Sequence, residues 1–170
     1  MTIRLAADED WPAILEVHRR AFGEEGERVS RLADELRRSP DLYVPELSFV
    51  AVEGDAVVGH VMNTWSEIEG SPVRVLQLSP LGVHPDHQGR GHGAALVRAS
   101  LDAVRTRGEP LLVLEGNPAY YGRFGFVRAD ELGLLPPPET LYDWAFQVAV
   151  LDEPATLPQG RVVYSEPFRR

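Results

Sequence analysis

The stretch Leu78-Ser-Pro-Leu-Gly-Val-His-Pro-Asp-His-Gln-Gly-Arg-Gly-His-Gly-Ala-Ala-Leu-Val97 decides how this chain is read. An apolar, strand-like run meets Pro80, passes Gly82 and stops at His84-Pro85. Gly89, Gly91 and Gly93 then lead into a helix predicted from Gly91 to Arg107, with Leu96, Val97, Leu101 and Val104 on its apolar face. Glycine in a first turn costs about 1 kcal/mol relative to alanine. A close approach by a bulky anion would offset that cost. A helix N-terminus offers unpartnered N–H groups and a partial positive charge, and glycines let phosphate oxygens reach them without meeting a Cβ. Gln88 to Ala94 therefore reads as a pyrophosphate cradle.

Three ligand classes use such cradles. A nucleoside triphosphate P-loop needs a Gly-Lys-Ser/Thr ending, and this chain contains no lysine. A dinucleotide fingerprint fits better, since Gly89-x-Gly91-x-x-Ala94 matches G-x-G-x-x-A and Glu115 lies near the place of a ribose-binding acid. Five residues, His84 to Gln88, nevertheless separate the strand from the first glycine, where the fingerprint turns directly. The motif also begins halfway along the chain, with room for one parallel unit only. Coenzyme A is the third class.

Outward from this stretch, Thr2 to Ala6 predicts an edge strand, Asp8 a helix cap, and Trp11, Ile14, Leu15, His18 and Phe22 a first helix. Val29, Leu32 and Leu36 mark a second. Leu47 to Glu53 and Val57 to Thr64 read as a hairpin about Gly54-Asp55. Val73 to Val83 is a strand that Pro80 should distort, and Leu111 to Leu114 a short buried one. Pro118 to Phe124 gives one or two helical turns. Strands follow from Gly125-Phe126-Val127, over Asp143 to Leu151 and over Arg161 to Tyr164, with Pro136 to Pro138 as a stiff loop between. The order predicts one domain over residues 1–170, an α/β (α+β) mixed sheet with helices on both faces.

Leu81 to Leu96 resembles the signature of the GCN5-related N-acetyltransferases, the GNAT superfamily. That signature is a strand of the type L-x-V-x-P followed by [QR]-x-x-G-x-[GA], with Gln88, Gly91 and Gly93 in the last key positions. Asn117-Pro-Ala-Tyr-Tyr-Gly-Arg-Phe-Gly-Phe126 resembles its second segment, slightly shortened. The tail looks like that of a bacterial subgroup. The resemblance implies a mostly antiparallel sheet in which two parallel strands, Val73–Val83 and Leu111–Leu114, splay apart. Acetyl-CoA would be the co-substrate. Its pantetheine would bond the main chain around Leu81, Gly82 and Val83, with Asn117 nearby. Gln88, Gly89, Arg90, Gly91, His92, Gly93 and Ala94 would hold the pyrophosphate. Tyr121 resembles the general-acid tyrosine, four positions before Gly125, and Tyr120 beside it is expected to pack inward. Asn117 could equally cap the short helix at Pro118.

The resemblance stops at the base. Some members place a glutamate eleven residues before the motif's first position. Here that residue is Gln77, which cannot take a proton. A water chain, Glu67, Glu69 or Glu115 are the alternatives. His84, His87, His92 and Asp86 suggest a metal cluster, but no distal ligand at metal-site spacing completes it, so no metal is expected. The implied activity is acetyl transfer to a primary amine by direct attack in a ternary complex. A non-catalytic acyl-CoA sensor on the same fold is the alternative.

Composition agrees with this reading. The chain is 44% hydrophobic and 25% charged over 170 residues, as in globular proteins. No apolar run nears the ~20 residues of a membrane helix, no signal peptide is visible, and cysteine is absent, so a cytoplasmic location is expected. The net charge of −9 disfavours nucleic acid and anionic membranes and suits a cationic acceptor, small or peptidic. A homodimer remains open.

Overall fold

Alternation of apolar and polar residues builds a long hairpin first. In the computed structural model, which describes residues 1–153 and 157–170, β2 (Tyr43–Glu53) and β3 (Ala56–Ile68) pair antiparallel as far as Glu53↔Ala56. Gly54 takes φ 58° in the turn, a conformation that favours glycine. β1 (Thr2–Leu5) adds to the outer edge of β2. The order continues β3, β4 (Arg74–Val83), β5 (Leu111–Glu115), β8 (Phe146–Val150) and β6 (Val127–Arg128). β9 (Gly160–Val163) pairs with β3 and, in parallel, with β7 (Leu134–Leu135), a two-residue strand that its short apolar pair did not signal. The mixed, mostly antiparallel sheet is as expected.

The described residues form two compact units, whose boundaries fall inside β3, β4 and the third helix. The first holds residues 1–64 and 78–103. Its helices are α1 (Trp11–Ala21), α2 (Gly26–Arg37) and the opening of α3 (His92–Thr106). Ile14, Val17, Leu32, Leu36, Val50, Val61, Leu96 and Val97 are buried there. Burying each such side chain stabilises by roughly 1.5–3 kcal/mol. Asn63 Nδ2 donates to both Leu47 O and Ser100 Oγ at 2.9 Å, tying α3 to the hairpin. The expected cap at Asp8 is corrected. Asp10 Oδ2 accepts from Ala7 N at 2.8 Å and pairs with Arg4 at 2.6 Å, so the residue two positions on organises the turn.

The second unit holds residues 65–77 and 104–170. Ile68, Val75, Val113, Phe146, Val148 and Val162 are its core. Here β4 and β5 pair in parallel, Leu76↔Leu112 and Gln77↔Val113, and the ladder ends there although both strands run on. Ser79–Pro80 is a cis peptide, and β4 runs through it from Arg74 to Val83.

Candidate active site

The cradle residues follow β4 in the first unit. His84 N donates to Val58 O at 2.8 Å, closing the strand, and Pro85–His87 makes a single 3-10 turn. Gln88 Nε2 then reaches back to Val83 O at 3.0 Å. Gly89 and Gly91 have φ 74° and 88°, and a Cβ at either would stand in open space. Two left-handed residues in three explain the glycines by backbone conformation, while the missing side chains leave the mouth of α3 clear. Ala95 N donates to Gly91 O at 3.0 Å, so the helix begins one residue after the expected start. Ala94 is buried under it.

Gly82 is required by packing. A Cβ there would lie 2.9 Å from His18 Nδ1 and 3.3 Å from Ala21 Cβ, so α1 packs directly on its Cα. One lone pair of the Val83 carbonyl is already used by Gln88.

The loop histidines meet edge to face, His84 with His87 at 5.8 Å between centroids and His87 with His92 at 6.4 Å, and their hydrogen bonds go to other groups. His92, buried, places Nε2 2.5 Å from Glu53 Oε1. His87 Nδ1 lies 2.9 Å from Glu53 Oε2, and Arg90 Nη1 lies 3.3 Å from the same oxygen. His92 therefore offers the cradle its main chain and not its ring. His84 keeps to its own turn, accepting from Asp86 N at 3.2 Å. The distal carboxylate that spacing does not reveal is Glu53, at the end of β2. His92 and then His87 hold Glu53 below the usual carboxylate range. Among the described residues, Glu53, His87 and His92 bring three potential metal-ligand atoms together, all engaged in these contacts.

The tyrosine segment lies in the second unit. Asn117 Oδ1 accepts from Ala119 N at 3.0 Å and caps α4 (Pro118–Tyr121). Gly125, at φ 94°, ends the turn that follows. Tyr121 stands edge-on to Phe126 with centroids 5.9 Å apart, and its ring lies against Gly116, where a Cβ would be 2.4 Å from Cε2. Burial, with Tyr120 beside it, pushes the Tyr121 phenol up to about 12. Tyr120 does not pack inward as expected. It is half-buried, with Arg123 stacked 4.3 Å over its ring.

Of the base candidates, Gln77 is 2% exposed and accepts from Ser66 Oγ at 2.8 Å, which gives the amide a structural partner. Glu67 and Glu69 are exposed either side of buried Ile68. Glu115 accepts from Tyr164 Oη at 2.5 Å and Thr140 Oγ1 at 3.2 Å.

Comparison with known proteins agrees with this arrangement. The family model described as "Acetyltransferase (GNAT) domain" matches residues 2–129. The uncharacterised N-acetyltransferase YhbS of Escherichia coli strain K12 is 32% identical over 175 residues, covering 100% of this chain and 99% of its own. Among solved structures, E. coli YhbS in complex with CoA superposes with a TM-score of 0.87 at 30% identity, covering 99% of this chain and 92% of that one. A GNAT acetyltransferase of Brucella melitensis in complex with acetyl-CoA gives 0.80 at 29%, covering 98% and 97%. No described helix is long and apolar enough to cross a membrane. A glycine cradle after a parallel-paired strand, and a family match over the elements that carry it, lead to one conclusion: the chain belongs to the GNAT acetyltransferase family and is an acetyl-CoA-dependent N-acetyltransferase.

Proposed function

We propose that the protein transfers the acetyl group directly to a primary amine of a small or peptidic cation, both substrates being bound together, and that the two units act as one catalytic domain. The observation that carries this reading is the pair of left-handed glycines, Gly89 and Gly91, opening onto solvent at the start of the 15-residue helix α3. Main-chain N–H groups from Gln88 to Ala94 would hold the pyrophosphate, with Arg90 at the rim. Main-chain groups at Leu81, Gly82 and Val83, and Asn117, would hold the pantetheine. The open positions where a Cβ would otherwise stand suit an anion of that bulk.

The amine enters as an ammonium with a pKa near 10.4 and must give up a proton, to a water chain or to Glu67, Glu69 or Glu115, before its nitrogen attacks the thioester carbon. The C–S bond then breaks and sulfur leaves as a thiolate. Tyr121 is assigned as the donor to that sulfur. Its raised pKa keeps the phenol protonated throughout the working range, so it meets the departing sulfur as a hydrogen-bond donor.

The test is release of free CoA from acetyl-CoA with a panel of primary amines, including polyamines, aminoglycosides, amino-acid amides and short peptides. Amine-dependent thiol release with a mono-acetylated product is expected. No release with any amine, despite tight acetyl-CoA binding, would favour the sensor reading instead.

A further inference from the structure

Glu53 stands at the end of β2, 34 residues before His87 and 39 before His92, yet it meets three side chains of the glycine loop. Its Oε1 faces the buried His92 Nε2 at 2.5 Å, and its Oε2 faces His87 Nδ1 at 2.9 Å and Arg90 Nη1 at 3.3 Å. We propose that Glu53 is the positioning residue of the pyrophosphate cradle, clamping both flanks of Gln88–Gly91 so that the glycine N–H groups are preset for the anion. This rests on the acetyl-CoA reading of that loop.

The chemistry fixes how the clamp works. An ionised carboxylate only accepts hydrogen bonds, so each imidazole must present a proton to it. His92 therefore carries its proton on Nε2 and His87 on Nδ1. The other ring nitrogen of His92, Nδ1, is buried without a hydrogen-bond partner, a desolvation cost accepted only if the Nε2–H bond is worth more. One clamp point precedes the two left-handed glycines and the other follows them. Between those points no side-chain packing holds Gly89 and Gly91, whose Cβ positions would meet nothing within 4 Å, while the Gly91 carbonyl is tied to α3 by Ala95 N at 3.0 Å. Glycine loses the most conformational freedom on ordering, so fixing both flanks beforehand lowers the entropy cost of binding. Arg90 is drawn to the same carboxylate, which keeps a cation at the rim and offsets the acid's repulsion of phosphate. That guanidinium also argues against a divalent ion at the three-donor cluster, because the ion would face a fixed positive charge beside its carboxylate ligand.

Calorimetry with two probes tests this. CoA carries the pyrophosphate, and pantetheine lacks it. Glu53→Gln should weaken CoA binding about tenfold or more, the scale of losing a charge-assisted hydrogen bond. The same variant should bind pantetheine as the wild type does, a split that general destabilisation would not produce. His87→Ala removes one flank at a half-exposed position and should give a smaller loss of the same kind. Imidazole nitrogen NMR of the wild type should show His92 protonated at Nε2 and bare at Nδ1. CoA affinity unchanged in Glu53→Gln, equal losses for both probes, or a His92 with no proton on Nε2 would each overturn the assignment. A wild type that binds no CoA at all would instead overturn the acetyl-CoA reading on which it rests.

Discussion

A Cβ added to Gly116 would stand 2.4 Å from Tyr121 Cε2 and 2.9 Å from Cδ2, so the last residue before the Asn117 cap is also the floor under the tyrosine ring. Gly116→Ala should therefore move the ring and not the strand. Overpacking of this kind costs roughly 1–3 kcal/mol. If Tyr121 is the proton donor, kcat should fall with the ring while the CoA dissociation constant stays within a few-fold. The check is a double-mutant cycle. Tyr121→Phe on top of Gly116→Ala should add far less than it costs alone, and additive effects would mean that Gly116 acts elsewhere.

Tyr121→Phe keeps the packing and removes the hydroxyl. General acids contribute roughly 10²–10⁴-fold, so kcat should fall by that order with acetyl-CoA affinity nearly unchanged. Tyr120→Phe, at a half-buried ring held by Arg123, should stay within a few-fold of wild type. Since burial pushes the Tyr121 phenol up to about 12, kcat should show no decline from its ionisation up to about pH 10.5. Normal turnover in both variants would leave protonation of the sulfur to water.

Gly91→Glu should abolish CoA binding. Gly91 has φ 88°, so any side chain is strained there, and a carboxylate adds a like charge to the phosphates. The Cβ of the new side chain meets nothing within 4 Å, so the fold should survive. Calorimetry with CoA and near-native circular dichroism together check this. CoA binding unchanged in Gly91→Glu would move the cradle to other residues, and tight NAD binding by the wild type would revive the dinucleotide alternative.

The strands, helices and glycine turns were legible because their causes are local. Alternation across the Gly54-Asp55 turn, helical spacing from Leu96 to Val104 and the capping Asn117 each lie within a few residues. What escaped was set by distance along the chain. Glu53 looks like any strand-end acid, because the histidines that define it come more than thirty residues later. The packing role of Gly82 is invisible in sequence, because the His18 ring that needs its bare Cα belongs to another element. Tyr120 and Tyr121 are identical letters, and only the third dimension tells which ring meets Gly116 and which meets Arg123. The cap was misplaced by two residues because Asp8, Glu9 and Asp10 are chemically near-equivalent until Arg4 selects one.

The fold itself should weaken at mildly acidic pH through two buried histidines. His18 Nε2 and His60 Nδ1 lie 2.8 Å apart, and His60 Nε2 meets Ser48 Oγ at 3.0 Å, with both rings fully buried. Burial holds His18 down to about 3, and burial followed by the His18 charge holds His60 well below its usual range. The native state thus keeps both rings neutral where the unfolded chain, with a histidine pKa near 6.5, takes up protons. Stability is full above pH 6.5 and falls as pH drops from there toward 3, by up to about 1.4 kcal/mol per pH unit for each ring. Denaturant unfolding followed from pH 7.5 to 4.5 should show this slope. His18→Gln, which cannot titrate, should flatten it by about the share of one ring even if its stability at pH 7.5 is lower. A slope equal to wild type in His18→Gln would place the acid sensitivity in the carboxylates instead.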